Sequence, residues 1–344
     1  MNNRSADTTS ISQIGIVVIG RNEGENLRRS LNSMPIDDRV VALYVDSGST
    51  DGSIELARAK EIDVHALDPS RPFSAGRARS EGVDKLLAAH PQLAFIQFVD
   101  GDCELELGWI EAGIVYLETH PDVAIVCGRL SEREPDRSIY NWLSSLQWHT
   151  PAGEIANCGG IFMVRKDAYL SAGGFSRILL TREEKELCDR IRMAGHRIVR
   201  VDKQMARHSA DLLTFVHWWQ RAVWGGYGDA LQINTRKEKL SREHWHRVRR
   251  YLTWPIGVPF LALAGLIGVT WTSWAALVPL ACLTAYGLLF AKIAMGRLRI
   301  GNTPRDAMLY AFFIILRKFG AASGFIRYFL QKRRDLKRPD PHAA

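Results

Sequence analysis

From Tyr251 to Ala291 the 344-residue chain has no Asp, Glu, Lys, Arg or His. A soluble core rarely needs about forty uncharged residues in a row, whereas two membrane spans of roughly 20 residues each do. The five cysteines (Cys103, Cys127, Cys158, Cys188, Cys282) are odd in number and show no paired spacing. That excludes a disulfide framework and predicts reduced thiols. Met1–Gln13 lacks an apolar run, so no secretory leader is expected. There is no G-x-G-x-x-G and no G-x-x-x-x-G-K-[ST], which excludes the dinucleotide fingerprint and the P-loop. Zinc-finger spacing, aromatic-basic RNA motifs, internal repeats and low-complexity tracts are also missing, so nucleic acid is not an expected partner.

What is present is basic: the net charge is +8 and the pI about 9.3. The cations crowd around the uncharged stretch, at Arg242, His244, His246, Arg247, Arg249 and Arg250 before it and Lys292, Arg297 and Arg299 after it. Trp271-Thr272-Ser273-Trp274 divides the stretch without a charge, as suits a turn at a membrane surface. The positive-inside rule then places both ends, and with them the large N-terminal domain, in the cytoplasm. The expected organisation is a disordered tail over 1–12, an α/β domain over 13–235 and a basic juxtamembrane linker over 236–250. Two transmembrane helices over 251–295 follow. Residues 306–331 are apolar but interrupted by Arg317-Lys318, which predicts an amphipathic helix lying in the membrane interface, ahead of a basic tail over 332–344. Membrane lipid is thus an expected partner, and the inner membrane the expected location.

Within 13–235, short apolar runs alternate with amphipathic segments, the pattern of a sheet covered by helices. Strands are expected at Ile14–Ile19, Val40–Val45, Ile62–Ala66, Leu93–Val99, Val123–Val126 and Ile161–Val164. Helices are expected at Glu25–Ser33, Ile54–Lys60, Ala75–Ala89 and Trp109–Glu118. The run Phe95–Val99 stops on Asp100-Gly101-Asp102. A buried strand delivers its last residues to the carboxyl edge of the sheet, where ligands bind. Two carboxylates there repel each other unless a cation relieves them, and Mg²⁺ or Mn²⁺ suits oxygen ligands beside a phosphate. A plain turn with a helix cap accounts for Asp100 and Asp102 equally well when they are taken alone. The first two strands likewise end on polar residues and glycines, Gly20-Arg21-Asn22-Glu23 and Asp46-Ser47-Gly48-Ser49-Thr50-Asp51-Gly52.

These stretches, in this order, resemble the start of family 2 glycosyltransferases, which have the GT-A fold. Ala75–Gly82 is similar to the family's G-x-x-x-A-R-N-x-G helix. Asn157–Arg165, followed by Ala172-Gly173-Gly174-Phe175, resembles its acceptor-side strand, and Arg182–Leu187 with Arg190 resembles E-D-x-E-L-x-x-R. Five motifs in order cover about residues 14–230. The resemblance implies a GT-A domain carrying a C-terminal transmembrane hairpin, with Asn22, Glu23, Asp46, Arg79 and Asp100 on the nucleotide-sugar. It implies Asp100 and Asp102 at the metal, and Gly159, Gly160, Glu183, Gln220, Arg221 and Trp224 on the sugar and acceptor side. Glu184 is implied as the base. The departures are Ser47 for a frequent second Asp, Glu184 for the usual Asp, and Val223 for the Arg of Q-x-x-R-W.

The implied activity is inverting transfer from a nucleotide-sugar, a UDP-sugar by this resemblance, to a lipid-linked or polysaccharide acceptor. Transfer to a polyprenyl phosphate and a catalytically inactive membrane scaffold are the alternatives. A nucleotidyltransferase is disfavoured by the short, acidic loop Gly20–Gly24. Glu184 has a second explanation, because Thr181-Arg182-Glu183-Glu184 reads as a T-x-x-E capping box. Trp218, Trp219, Trp224 and Tyr227 suit either acceptor stacking or interfacial anchoring. His149, on an expected loop, reads as surface.

Overall fold

The computed structural model describes residues 13–35, 38–148, 151–179, 181–236, 240 and 242–335. The expected tail over 1–12, His149 and the last residues of the basic tail lie outside them. The chain divides into two compact units, one built from residues up to Asp136 and Gln147–Asp211, the other from Arg137–Leu146 and the chain from Leu212 onward.

The first unit is organised on a mixed sheet. Its parallel half consists of β1 (Ile14–Gly20), β2 (Val40–Asp46), β3 (Asp63–Ala66) and β4 (Phe95–Asp100), in the order β3-β2-β1-β4. Ile14, Ile16, Val17 and Val18 of β1 are fully buried, as expected of a strand covered on both faces. The helices α1 (Glu25–Asn32), α2 (Ser53–Arg58), α3 (Ala75–Ala89) and α4 (Trp109–Thr119) stand where the apolar spacing predicts them. The other half has β5 (Cys103–Leu105), β6 (Val123–Glu132), β7 (Gly153–Glu154), β8 (Phe162–Arg165) and β9 (Arg197–His208). Antiparallel β8 joins β4 to β6, and β9 follows parallel to β6, with β5 and β7 paired to it. The strand β9 is not evident in the sequence, because six of its twelve residues have charged or amide side chains and these follow no strand period. It forms because β6 extends beside it over its full length. Two helices, α6 (Lys166–Ser171) and α7 (Glu183–Met193), complete the unit.

In the second unit, α8 (Phe215–Arg236), α9 (Arg242–Leu252), α10 (Val258–Gly268), α11 (Leu277–Arg299) and α12 (Pro304–Asp335) follow one another. The first residues of α5 (Ile139–Trp148) belong with them. Two differences from the sequence reading follow. The helix α8, placed within an α/β domain ending at 235, clusters with the second unit, and the expected linker over 236–250 is largely the helix α9. Asp229 ties α8 to α9: fully buried, it accepts from Tyr251 Oη at 2.8 Å and from Arg247 Nε at 3.3 Å. Among the described residues, His244–Gly268, Ser273–Arg299 and Pro304–Lys332 are long and apolar enough to cross a membrane.

Candidate active site

The parallel half brings three strand ends to one edge. Gly20 lies opposite Asp46, and Ile19 opposite Asp100, so the loops after β1, β2 and β4 start side by side. Asp46 is buried and spends its carboxylate on local structure. Oδ2 accepts from the Gly48 and Ser49 amides at 2.9 and 2.8 Å, and Oδ1 accepts from Tyr44 Oη at 3.0 Å. The Asn22 amide donates to Ser49 Oγ at 2.9 Å, and Asn22 Oδ1 accepts from the Thr50 amide at 2.7 Å. Asn22 has a left-handed φ of 57°, a conformation asparagine tolerates better than most residues. The first two loops are therefore one hydrogen-bonded rim. Gly48 is restricted within it: φ is 80°, and a Cβ there would lie 2.9 Å from the Phe73 ring.

Glu23 packs its side chain against the third loop, where a Cβ on Gly101 would lie 3.0 Å from Glu23 Cγ. Burial first, and then the charge of Asp102, push the Glu23 carboxyl up to about 7. Carboxylates gathered without a counter-charge resist ionisation in this way.

The cation of the site comes from α3, capped by Ser74 Oγ accepting from the Arg77 amide at 3.2 Å. The two arginines of this motif divide the work. Arg77 is structural, binding Glu81 at 2.7 Å and the carbonyls of Asp68 and Arg71. Arg79 reaches the site and bridges two carboxylates, Asp100 Oδ1 at 2.5 Å from Nη2 and Glu183 Oε1 at 2.7 Å from Nη1. Burial alone would disfavour its charge, but Asp100, Glu183 and Glu184 hold it cationic. Burial and neighbouring Glu184 push the Glu183 carboxyl upward, against the pull of Arg79. Gly160 fits into this bridge, since a Cβ would lie 2.7 Å from both Arg79 Nη2 and Asp100 Oδ2. Gly159 beside it has a φ of 81°, which favours glycine.

The alternative explanation of Glu184, a capping box opened by Thr181, is out of register with the helix. The helix α7 starts at Glu183, its cap residue is Arg182 in a left-handed conformation, and no side chain of that residue caps it. Glu184 is consequently the second residue of the helix, not the third that the motif requires, and it is half-buried. The rest of the motif fixes the helix. Arg190 pairs with Glu186 at 2.7 Å and donates to the Gly174 carbonyl at 2.6 Å, which ties α7 to the Ala172–Gly174 turn.

The mixed half contributes a residue that the sequence reading missed. His208, the last residue of β9, places Nε2 3.3 Å from Asp102 Oδ2. Its Nδ1 is buried without a hydrogen-bond partner, and the Trp148 ring meets it edge-on at 4.7 Å. Asp102, Cys103 and His208 form a group whose ligand atoms all lie within 4.8 Å of one another. Cys103 is unsuited to a hard ion: burial, then Asp102 and Asp100, push its thiol well up, and it donates to Asp102 Oδ1 at 3.2 Å. An aspartate oxygen and an imidazole nitrogen remain, a donor set that fits Mn²⁺ or Mg²⁺ with positions left for phosphate oxygens. Glu132, opposite His208 in the register, accepts from the Ala210 amide at 3.1 Å and so braces the strand end. A histidine ending a strand more than 100 residues after the Asp pair gives no local signal. Only its β9 pairing with β5 delivers it.

Residues 15–171 match the family model described as Glycosyl transferase family 2. The matched part of the chain, 15–171, is a family 2 glycosyltransferase domain. Glycosyltransferase AglE of Haloferax volcanii is 23% identical over 216 residues, which are 59% of this chain and 69% of that protein. Among solved structures, the mannosyltransferase PcManGT from Pyrobaculum calidifontis, in complex with GDP-Man and Mn²⁺, superposes with a TM-score of 0.57 at 16% identity. The match covers 94% of this chain and 89% of that one. At that identity the likeness concerns the fold, which is GT-A with long apolar helices after it.

The structure thus brings Asn22, Glu23, Asp46, Arg79, Asp100, Asp102, Gly160 and Glu183 to one sheet edge, with Glu184 beside Arg79. Gln220, Arg221 and Trp224 are on α8 of the second unit, and Trp224 is half exposed against Tyr227.

Proposed function

We propose that this glycosyltransferase moves a sugar from a nucleotide-sugar to a hydroxyl of a lipid-linked or polysaccharide acceptor, with inversion, at the cytoplasmic face of the inner membrane. The observation that carries the reading is the Asp102–His208 pair, adjoining a buried Arg79 that is shared between Asp100 and Glu183. Asn22 and Glu23 line the nucleoside side, and Asp46 braces the loop behind them. Asp102 and His208 would hold a divalent cation, with Asp100 beside them. Bound there, that cation supplies positive charge to the diphosphate as it leaves.

The remaining steps belong to the chain. Arg79 keeps Asp100 and Glu183 oriented and holds a positive charge at the sheet edge where the donor would bind. Gly159 and Gly160 leave room for the sugar beside that bridge. Glu184 takes the proton of the acceptor hydroxyl as its oxygen bonds to the anomeric carbon and the carbon–oxygen bond to the diphosphate breaks. Gln220, Arg221 and Trp224 serve the acceptor. The cations on both outer flanks of 251–291, and their absence from the Trp271–Trp274 turn, support a catalytic unit facing the cytoplasm.

The test is nucleoside diphosphate release by detergent-solubilised protein with UDP- and GDP-sugars, with and without chelator. Glu184→Gln keeps size and should lower turnover on a hydroxyl acceptor by about 10²–10⁴-fold, with donor affinity intact. A polyprenyl phosphate acceptor has no proton to lose, so a Gln variant with near wild-type turnover would point to that acceptor class. Full activity in chelator would reject the metal assignment.

A further inference from the structure

The helix α5 is fixed at both ends, and its last residue touches the candidate cation site. The first turn is held by the chain that follows β9. Ser138 Oγ accepts from the Asn141 amide at 3.0 Å and donates to the Leu212 carbonyl at 2.5 Å, and Asn141 Oδ1 accepts from the Leu212 amide at 2.8 Å. The Tyr140 ring meets Trp218 and Phe313 at 5.9 and 6.0 Å. These residues belong to the second unit, as does α5 through Leu146, whereas Gln147 and Trp148 belong to the first.

The last turn is held by Arg297, near the end of α11. This side chain is buried, and a buried guanidinium is costly unless its charge is met. Among the described residues no carboxylate pairs with it. Instead, Nη2 donates to the Leu146 carbonyl at 2.7 Å, and the Tyr310 ring lies 4.5 Å from the guanidinium carbon. The Leu146 carbonyl is one of the last four of α5, which have no partner inside the helix. A cation there also meets the negative pole of the helix. A ten-residue helix does not hold its ends unaided, so this cap matters. The residue that closes the capped turn is Trp148, whose ring meets His208 edge-on at 4.7 Å. A metal-ligating histidine is ordinarily aimed by a hydrogen bond at its second nitrogen. His208 Nδ1 has no such bond, so packing against Trp148 takes that part.

We infer that Arg297 is a positioning residue for the cation site: by capping the last turn of α5 it seats Trp148 against His208, and so holds the imidazole at Asp102. The inference rests on the reading of Asp102 and His208 as cation ligands. Each contact lies within one unit, Arg297 with Leu146 in the second and Trp148 with His208 in the first. The backbone of α5 joins the two. Arg297 stands just past the stretch expected to span the membrane, so cation affinity is tied to the end of the hairpin.

The experiment measures Mn²⁺ binding to the full chain in detergent, without donor or acceptor, from the loss of the free-ion electron paramagnetic resonance signal. Arg297→Leu should weaken binding about tenfold, the low end of what a residue supporting a metal ligand contributes. Arg297→Lys keeps a donor for the Leu146 carbonyl and should bind within about threefold of wild type. Trp148→Ala should match Arg297→Leu, and it carries the test if the Arg297→Leu protein does not fold. A cycle with His208→Ala separates positioning from a general effect on the fold. If Arg297 acts through the histidine, Arg297→Leu adds no further loss in the His208→Ala background. Undiminished Mn²⁺ affinity in either Arg297→Leu or Trp148→Ala, or equal losses from Arg297→Leu with and without His208, would overturn the inference. An unchanged affinity in His208→Ala alone would instead reject the histidine as a ligand, and the inference with it.

Discussion

The two halves of the sheet reach the same edge by different routes. In the parallel half, β1, β2 and β4 each end on functional residues, and Asn22, Glu23, Asp46 and Asp100 follow directly from chain order. In the mixed half, Gly160, Glu183 and His208 come from a loop, a helix start and the end of a twelve-residue strand. The first half gathers carboxylates and so creates a charge problem. The second half, with Arg79, relieves it: a guanidinium spans Asp100 and Glu183, and an imidazole meets Asp102. A site assembled this way should depend on the joint between the halves as much as on either alone.

The largest effect expected is at the shared carboxylate. Asp102→Ala should lower turnover by roughly 10³-fold, the scale of one electrostatic contact to a developing charge, while the protein remains folded. Release of nucleoside diphosphate measures it, and full activity would break the comparison at once. His208→Ala removes the contribution of the mixed half and leaves Asp102. The cation concentration for half-maximal activity should rise about 10–100-fold, with smaller loss at saturating cation. If that concentration does not move, the mixed half adds nothing to metal binding.

Gly160→Ala tests the joint itself. Its methyl would press on the Arg79–Asp100 pair, whose guanidinium is buried and also tied to Glu183, so a stability loss of about 1–3 kcal/mol is expected by denaturant titration. The smallest effect is a pH dependence. Glu23 titrates near 7 in the folded chain, above its ordinary 4.5, because burial and Asp102 favour its neutral form. Its contribution to stability is then full below about 4.5 and lost as pH rises through 7. In chelator, thermal unfolding should move to lower temperature between pH 5 and 7.5, and Glu23→Gln should flatten that slope. An unchanged slope would show that Glu23 is not the group responsible.

Much of the parallel half could be read in advance, because a buried parallel strand is a short apolar run and its end is marked by a glycine or a polar residue. Val40–Asp46 and Phe95–Asp100 are such cases, and the long helix α3 matches its expected bounds. Glu184 was legible as a position, while the alternative capping box was out of register: Arg182, not Thr181, occupies the cap. His208 was not legible. The strand that carries it contains Arg197, Arg200, Asp202, Lys203, Gln204 and Arg207, a polar run with no strand period to detect.

At the membrane end, the sequence alone determined that the chain has an uncharged hairpin's worth of residues between basic flanks, since removing charge from forty residues has few other uses. It likewise determined the family's order of motifs and the carboxylates at the strand ends. Tertiary structure decided which residues of those motifs do local work and which meet, separating Arg77 from Arg79 and bringing His208 to Asp102. It also gave α12 the polar helix α8 as its neighbour. The physical reason is range. Hydrophobic period and strand-end chemistry act between residues a few positions apart. Charge pairing and strand register join residues about a hundred positions apart, and only the folded chain brings those together.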